Sequence, residues 1–225
     1  MRPWIATLLL LAICAAAAIA AYPWLEPARL LHSIHGIDVS HHQQAIRWQE
    51  VRASGVRFAY IKATEGGDFV DPRFKRNWAD ALSSGLRVGA YHFFTLCRPG
   101  ATQAANFIRT VPTHPAALPH AIDAEHMGPC INLPTVESAA REIKVFLDRV
   151  EAHFGRRPLI YTTAEFHDTH LKGRFERERF WIRSLVLPPR FRTDAWVIWQ
   201  YHNRGRRPGI VGPVDLNIAK TALFD

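Results

Sequence analysis

Apolar and polar positions alternate along most of the chain in two different periods. Five short apolar runs, each followed by a stretch with helical spacing, predict five β/α units. These runs are GIDVS, VRFAYIKATEG, LRVGAYHFF, HAIDAE and PLIYTT. Residues at the predicted helix ends support this interpretation: Asp71 and Pro72 suit the start of the second helix, and Thr135 and Gly155 flank the fourth. Strands that alternate with helices indicate a parallel sheet.

The helical pattern stops after the fifth unit. The stretches RFWIRSL, AWVIWQYH and GPVDLNI have the character of three strands joined by loops rich in Pro and Arg. We therefore predict an α/β fold, an irregular TIM-like barrel of five β/α units followed by three strands with few helices. An open doubly wound sheet is the alternative, but no Gly-rich phosphate loop follows the first strand.

The N-terminal segment differs from the rest of the chain. After Arg2, the run IATLLLLAICAAAAIAA contains no charge, and Ala18 and Ala20 suit a cleavage site. Residues 1–22 are therefore expected to be a signal peptide or an N-terminal membrane anchor, residues 23–34 a short linker, and residues 35–225 one barrel domain. Either form of leader places the barrel outside the membrane, in the cell envelope as a periplasmic or secreted protein.

Charge and composition bear on the class of binding partner. The chain has 225 residues, 48% of them hydrophobic, with 28 Lys and Arg against 20 Asp and Glu. Nucleic acid often binds basic chains, but these arginines are scattered and no nucleic-acid motif accompanies them. The 12 histidines include no pair with zinc-ligand spacing and a third partner. We expect a monomer with no metal, cofactor or nucleic acid, whose basic surface suits anionic wall polymers.

Two acids stand at the end of the fourth strand, in AIDAEH. Asp123 and Glu125 are two residues apart, so in a strand they point to the same face. Carboxyls held that close in a partly dry site have pKa values pushed apart, which suits acid/base chemistry, although a solvated strand end would look the same.

The other strand ends strengthen the chemical interpretation, because in a parallel barrel they meet at one mouth. They carry Asp38, Glu65, Tyr91, His92, Tyr161, Arg183, Trp199, Gln200 and Asp215. Carboxylates beside aromatic rings suit sugars, so a glycosidase is favoured. A noncatalytic glycan-binding barrel and a metal-dependent hydrolase using the acidic cluster are the alternatives.

Nine motifs resemble glycoside hydrolase family 25, the lysozymes that act as 1,4-β-N-acetylmuramidases, over residues 35–224. In order they are GIDVSHHQ, YIKATEG, DPRFKRNW, GAYHFF, QAANFI, LPHAIDAE, IYTT, IWQYH and VDLN. The resemblance implies a catalytic barrel that cleaves the β-1,4 bond between N-acetylmuramic acid and N-acetylglucosamine in peptidoglycan glycan strands. It also implies that Glu125 is the general acid/base and that Asp123, Asp38 and Asp215 complete the acidic site.

The nucleophile needs a separate argument. Direct displacement with retention needs two carboxyls about 5 to 5.5 Å apart across the bond, whereas residues on one strand approach from one side. We therefore expect net retention by substrate assistance, in which the 2-acetamido oxygen attacks and Asp123 orients the amide nitrogen. The alternative is a water-based displacement assisted by Asp215 or Asp38.

Substrate-binding positions are expected at the same mouth. We predict that Tyr91 forms a hydrogen bond near the reacting sugar, that Tyr161 and Trp199 stack on sugar rings unless they belong to the core, and that Gln200 also contacts substrate.

Two cysteines are expected to stay in the exported barrel. Cys97 lies six residues past Tyr91 and Cys130 seven past Asp123, so both leave adjacent strands at similar heights. Because an exported protein meets an oxidising compartment, we predict a disulfide beside the cleft rather than two separate buried thiols.

Overall fold

The computed structural model describes residues 3–22, 26–126, 130, 133–185 and 187–224. Within these residues, nine strands belong to a single sheet. The strands are β1 His35–Val39, β2 Phe58–Glu65, β3 Phe69–Val70, β4 Arg87–Phe93, β5 Ala121–Ala124, β6 Leu159–Thr162, β7 Phe180–Arg183, β8 Trp196–Gly205 and β9 Val214–Ala219.

Eight of these strands close into a barrel. Their order is β1-β9-β8-β7-β6-β5-β4-β2, and a parallel pairing of β1 with β2 closes the ring. Strand β9 runs antiparallel to both of its neighbours, and β3 adds a short antiparallel edge to β2. An antiparallel pair needs no crossover helix, which explains why the described residues between β8 and β9 form none. Strands β7 and β8 are parallel, but the described residues between them form no helix either. The predicted barrel is confirmed, and the open sheet is wrong.

Seven α-helices accompany the sheet in the described ranges: α1 Pro3–Ala21, α2 Pro27–Leu31, α3 Trp48–Ala53, α4 Phe74–Ser83, α5 Gly100–Thr110, α6 Val136–Phe154 and α7 Ala164–Phe166. Helix α7 continues into a π-helical turn over His167–Leu171. Helix α6 has its predicted ends, because the Thr135 hydroxyl accepts from the Ser138 amide at 3.2 Å and Gly155 adopts a left-handed φ of 73°.

Helix α4 begins later than predicted. Its first residue is Phe74, which follows a turn at residues 72–73. The Asp71 side chain caps this turn, because Oδ1 accepts from the Arg73 amide at 2.9 Å, and its Oδ2 accepts from the His41 amide at 2.8 Å. Asp71 therefore ties the start of α4 to the turn after β1.

Aromatic rings fill the barrel interior at the end where the parallel strands begin. Two glycines make room for them: a Cβ on Gly36 would lie 2.2 Å from the Phe58 ring, and one on Gly89 would lie 2.4 Å from the Tyr60 ring. The Tyr60 hydroxyl donates to the Pro119 carbonyl at 2.7 Å. This end of the barrel is closed, which leaves the opposite end for a pocket.

The segment before β1 packs on the barrel instead of hanging free. We call residues 26–32 the N-terminal strap. Glu26 accepts two hydrogen bonds from the buried Arg207 guanidinium, at 2.6 and 2.7 Å, and the His32 ring meets the edge of Trp199 with 6.2 Å between centroids. The strap thus covers the outer face of β8, in part of the region that we predicted to be a linker.

Helix α1 coincides with the apolar run predicted as a signal peptide or anchor. None of the helices in the described ranges has the length and apolar character needed to cross a membrane. The signal peptide or anchor stays a prediction.

Candidate active site

A pocket of about 380 Å³ opens where the parallel strands end. It receives all four predicted catalytic carboxyls and three of the four predicted substrate-binding residues. They are Asp38, Asp123, Glu125, Asp215, Tyr91, Tyr161 and Gln200. The barrel has thus gathered groups that are far apart in sequence. Parallel strands bring their C-terminal ends to this mouth, whereas Asp215 lies at the start of the antiparallel strand β9.

The four carboxyls come from three strands. Asp123 lies in β5, and Glu125 follows the end of that strand directly. Asp38 in β1 is the direct partner of Asp215 in the antiparallel strand β9. Directly opposed residues have Cβ atoms only about 4.5 to 5.5 Å apart, so the Asp38 and Asp215 carboxyls are held close together.

Asp38 is fixed by a network of polar side chains. Its Oδ2 accepts from Gln200 Nε2 at 3.0 Å and from Asn217 Nδ2 at 2.7 Å. Each amide is held in turn, because the Tyr161 hydroxyl donates to Gln200 Oε1 at 3.0 Å and Trp181 Nε1 donates to Asn217 Oδ1 at 2.8 Å. We call these five residues the Asp38 network. It includes Gln200, which we predicted to contact substrate, and the hydroxyl of Tyr161, whose ring we predicted to stack on a sugar.

Burial shifts the opposed carboxyls towards their neutral forms. It raises the pKa of Asp38 to about 6, against the opposing effect of the hydrogen bonds from Asn217 and Gln200. It raises the pKa of Asp215 to about 9, and the charge of Asp38 adds to that rise. Burial and mutual repulsion therefore favour one shared proton over two negative charges on the pair.

Burial also raises the pKa values of the other two carboxyls. For Asp123 the charges of Glu125 and Asp38 add to the effect, whereas for Glu125 the charges of Arg183 and Lys62 oppose it. Asp123 Oδ1 is buried and has no hydrogen-bond partner among the described residues.

Two cations line the pocket near Glu125. Arg183, which we placed at this mouth without assigning it a role, has its Nη1 3.8 Å from Glu125 Oε2, which is an ion pair without a hydrogen bond. Lys62, which we did not predict, has its Nζ 2.6 Å from Glu65 Oε2 and 4.9 Å from the centre of the Phe93 ring. Glu65 thus holds a pocket cation in place.

The aromatic wall differs from the prediction at one position. Trp199 lies outside the pocket: it is 2% exposed, and its indole nitrogen donates to the Ser184 carbonyl at 2.6 Å. Neighbouring residues in a strand face opposite sides, so Trp199 points outwards where Gln200 points inwards. Trp181, which we did not predict, lines the pocket and meets Tyr91 edge-on with 6.2 Å between centroids.

A disulfide joins the loops that follow β4 and β5. Cys97 and Cys130 are bonded, with 5.6 Å between their Cα atoms, so the predicted pairing is confirmed. It fixes the chain a few residues beyond Asp123 and Glu125 in sequence. Residues 127–129 and 131–132, on either side of Cys130 in sequence, lie outside the described residues.

Comparisons with known proteins agree with this geometry. The family model for glycosyl hydrolases family 25 matches residues 37–210. Lysozyme M1 of Streptomyces globisporus is 35% identical over 199 residues, covering 82% of this chain and 67% of that protein. The uncharacterized protein YegX of Escherichia coli K12 is 38% identical over 193 residues, covering 83% and 70%.

Solved structures agree as well. A family 25 glycosyl hydrolase from Bacillus anthracis superposes with a TM-score of 0.79 at 39% identity, over 84% of this chain and 89% of that one. A bacterial lysozyme from Streptomyces coelicolor gives 0.76 at 33% identity, over 85% and 95%. With its barrel, its carboxyl pocket and a family match across most of the barrel, the chain belongs to glycosyl hydrolase family 25.

Proposed function

We propose that this glycoside hydrolase is a lysozyme, a peptidoglycan hydrolase that cleaves the β-1,4 bond between N-acetylmuramic acid and N-acetylglucosamine. The observation that carries the proposal is the pocket at the end of the barrel, where Glu125 stands beside three further carboxyls. Relatives named as lysozymes support the same substrate.

Glu125 is the general acid in this proposal. An acid that protonates a glycosidic oxygen near neutral pH needs a raised pKa and access to substrate. Burial supplies the first, and the position of Glu125 on the pocket wall supplies the second. After the leaving sugar departs, the ionised carboxylate takes a proton from the attacking water.

Asp123 orients the substrate's own nucleophile. Asp123 and Glu125 share one strand end and so approach the bond from one side, unlike the flanking pair of a direct displacement. The 2-acetamido oxygen attacks the anomeric carbon while the bond to the leaving oxygen breaks and that oxygen takes the proton of Glu125. The Asp123 carboxylate on the pocket wall accepts a hydrogen bond from the acetamido N–H. Water then opens the ring intermediate, which gives net retention.

The surroundings of the enzyme follow from its substrate. We infer that it works in the cell envelope, as a periplasmic or secreted monomer whose partners are glycan strands rather than nucleic acid. No cofactor enters the steps above.

The test is a product analysis with the full chain. Purified peptidoglycan and chitin oligomers are incubated with the protein and with Glu125→Gln, and new reducing ends are reduced with borohydride and identified by mass spectrometry. We expect reduced muramic ends with the parent protein and none with the variant. Reduced glucosamine ends would change the bond assignment, and intact polymers would favour a glycan-binding barrel.

A chelator addresses the metal-dependent alternative. Among the described residues, no group of three or more His, Cys, Asp and Glu side chains is arranged to hold a metal ion. We expect EDTA to leave the muramic product unchanged, whereas loss of product that added Mg²⁺ or Ca²⁺ restores would point to the metal-dependent class.

A further inference from the structure

Asp38 and Asp215 face each other across two antiparallel strands, but they are not held alike. Two amide groups donate to Asp38, whereas the Asp215 carboxyl has no hydrogen bond among the described residues. We propose that Asp38 is the ionised member and Asp215 the protonated member of a proton-sharing pair, and that Gln200 and Asn217 are the positioning residues that set this assignment.

The two amide donors decide where a proton on Asp38 could lie. Gln200 and Asn217 both reach Oδ2, at 3.0 and 2.7 Å, so a proton on that oxygen would point at an N–H group. Donors to a carboxylate favour its ionised form. Asp38 is thus stabilised as an anion, and its Oδ1 is the oxygen left to receive a proton or a ligand.

Neither side-chain amide can flip to present its oxygen to Asp38 without losing a second hydrogen bond. Trp181 Nε1, which is only a donor, points at Asn217 Oδ1 at 2.8 Å, so a flipped Asn217 would set an NH₂ group against an N–H. The Tyr161 hydroxyl holds Gln200 Oε1 in a similar way at 3.0 Å. The buried indole and phenol therefore lock the direction of both hydrogen bonds.

The other charges around the pair do not create the same difference. The titratable and charged groups that line the pocket with the pair are Lys62 from β2, Tyr91 from β4, Asp123 and Glu125 from the end of β5, Tyr161 from β6, Arg183 from β7 and His42 from the turn after β1. The two that act most directly on both members have the same sign on each, because Glu125 raises and Arg183 lowers the pKa of Asp38 and of Asp215. The amide donors act on Asp38 alone and favour its ionised form, and the charge of ionised Asp38 in turn raises the pKa of Asp215.

This assignment deepens the proposed function and rests on it for its catalytic meaning. A bound sugar would meet one fixed acceptor, Asp38 Oδ1, and one donor, the neutral Asp215 carboxyl. In the water-based displacement that is the alternative to substrate assistance, Asp38 rather than Asp215 takes the proton of the attacking water. Gln200 then acts on the substrate only through Asp38.

The direct test is a ¹³C NMR titration of the full chain labelled at Asp Cγ, without substrate. Asp38→Asn and Asp215→Asn assign the two resonances. We expect Asp38 to titrate at lower pH than Asp215, and Gln200→Met and Asn217→Leu each to move the Asp38 titration upwards by about one unit. The matched control is Asn203→Ala, which changes a polar residue of the pocket wall outside the network and should leave the order and the Asp38 titration in place.

A milder variant keeps the test decisive if removal of a buried amide prevents folding. Tyr161→Phe deletes only the hydroxyl that holds Gln200, and we expect a smaller upward shift of Asp38. The proposal is overturned if Asp215 titrates below Asp38 in the parent protein, or if the folded network variants leave Asp38 unmoved. Because no substrate is present, these outcomes are independent of muramidase activity.

Activity then supplies a second readout. Asn resembles a protonated Asp, so Asp38→Asn should lower kcat/KM at least tenfold more than Asp215→Asn does. The acidic limb of kcat/KM should move upwards in Gln200→Met, since Asp38 must be ionised to act. Equal losses in the two Asn variants, or an unmoved limb, would contradict the assignment.

Discussion

Arg183 should control the alkaline limit of activity through Glu125. Its Nη1 lies 3.8 Å from Glu125 Oε2, and both side chains are partly shielded, at 32% and 11% exposure. Two unit charges at about 4 Å interact by about 1 kcal/mol in water and about 4 kcal/mol at an effective dielectric constant of 20. Because the pocket is open to solvent, the interaction between Arg183 and Glu125 should lie near the lower of these two energies. Arg183→Gln should therefore raise the pKa of Glu125 by about one unit.

The sign of the effect on rate follows from the role of Glu125. The acid must be protonated, so activity falls as pH rises through its pKa, and a higher pKa moves that fall to higher pH. The assay is the pH dependence of kcat/KM on solubilised glycan strands, with reducing ends as readout. Arg183→Lys, which keeps the charge, is the matched control and should leave the limb in place. A limb that stays put or moves downwards in Arg183→Gln would refute the reasoning.

Three further predictions concern the scaffold. Gly89→Ala places a Cβ 2.4 Å from the Tyr60 ring and should lower the free energy of unfolding in urea by about 1 to 3 kcal/mol; an unchanged midpoint and slope would contradict this packing. Reduction of the disulfide, whose cysteines are 33 residues apart, should cost about 3 to 4 kcal/mol by chain entropy, measured as a lower Tm in dithiothreitol. Glu26→Gln leaves the buried Arg207 charge without its partner, so it should lower the free energy of unfolding in urea. The loss should be several times larger than for Asp80→Asn, which breaks an exposed ion pair worth about 0.5 kcal/mol. Equal losses would argue against a stabilising role for the strap.

The parts that the sequence predicted well are those that local pattern and topology determine. The ends of α6 follow from Thr135 and Gly155, which act within one turn of the helix. Asp38 and Asp123 were placed together because the C-terminal ends of parallel strands converge, whatever lies between them in sequence. Asp215 reaches the same pocket for a reason that the sequence did not show, since the antiparallel strand β9 begins there.

The parts that it missed depend on which face of a strand points inwards. Both faces of β8 are buried, so the apolar pattern around Trp199 and Gln200 cannot tell the lumen side from the outer side. Asn217 and Trp181 depend on each other across two strands, and their hydrogen bond joins residues 36 positions apart. The strap was missed because its main contact is also distant in sequence: Glu26 binds Arg207, which lies 181 positions away.

The contacts ahead of β1 also determine how the pocket is presented. The Tyr22 ring stacks on His202 with 4.3 Å between centroids, and its carbonyl oxygen lies 2.8 Å from His202 Nε2. Asn203, the next residue of β8, lines the pocket. A wall-binding module or membrane tether joined ahead of Tyr22 would therefore leave the barrel beside the pocket wall, at a fixed point. The position of that attachment point would then determine the angle at which the pocket meets a glycan strand.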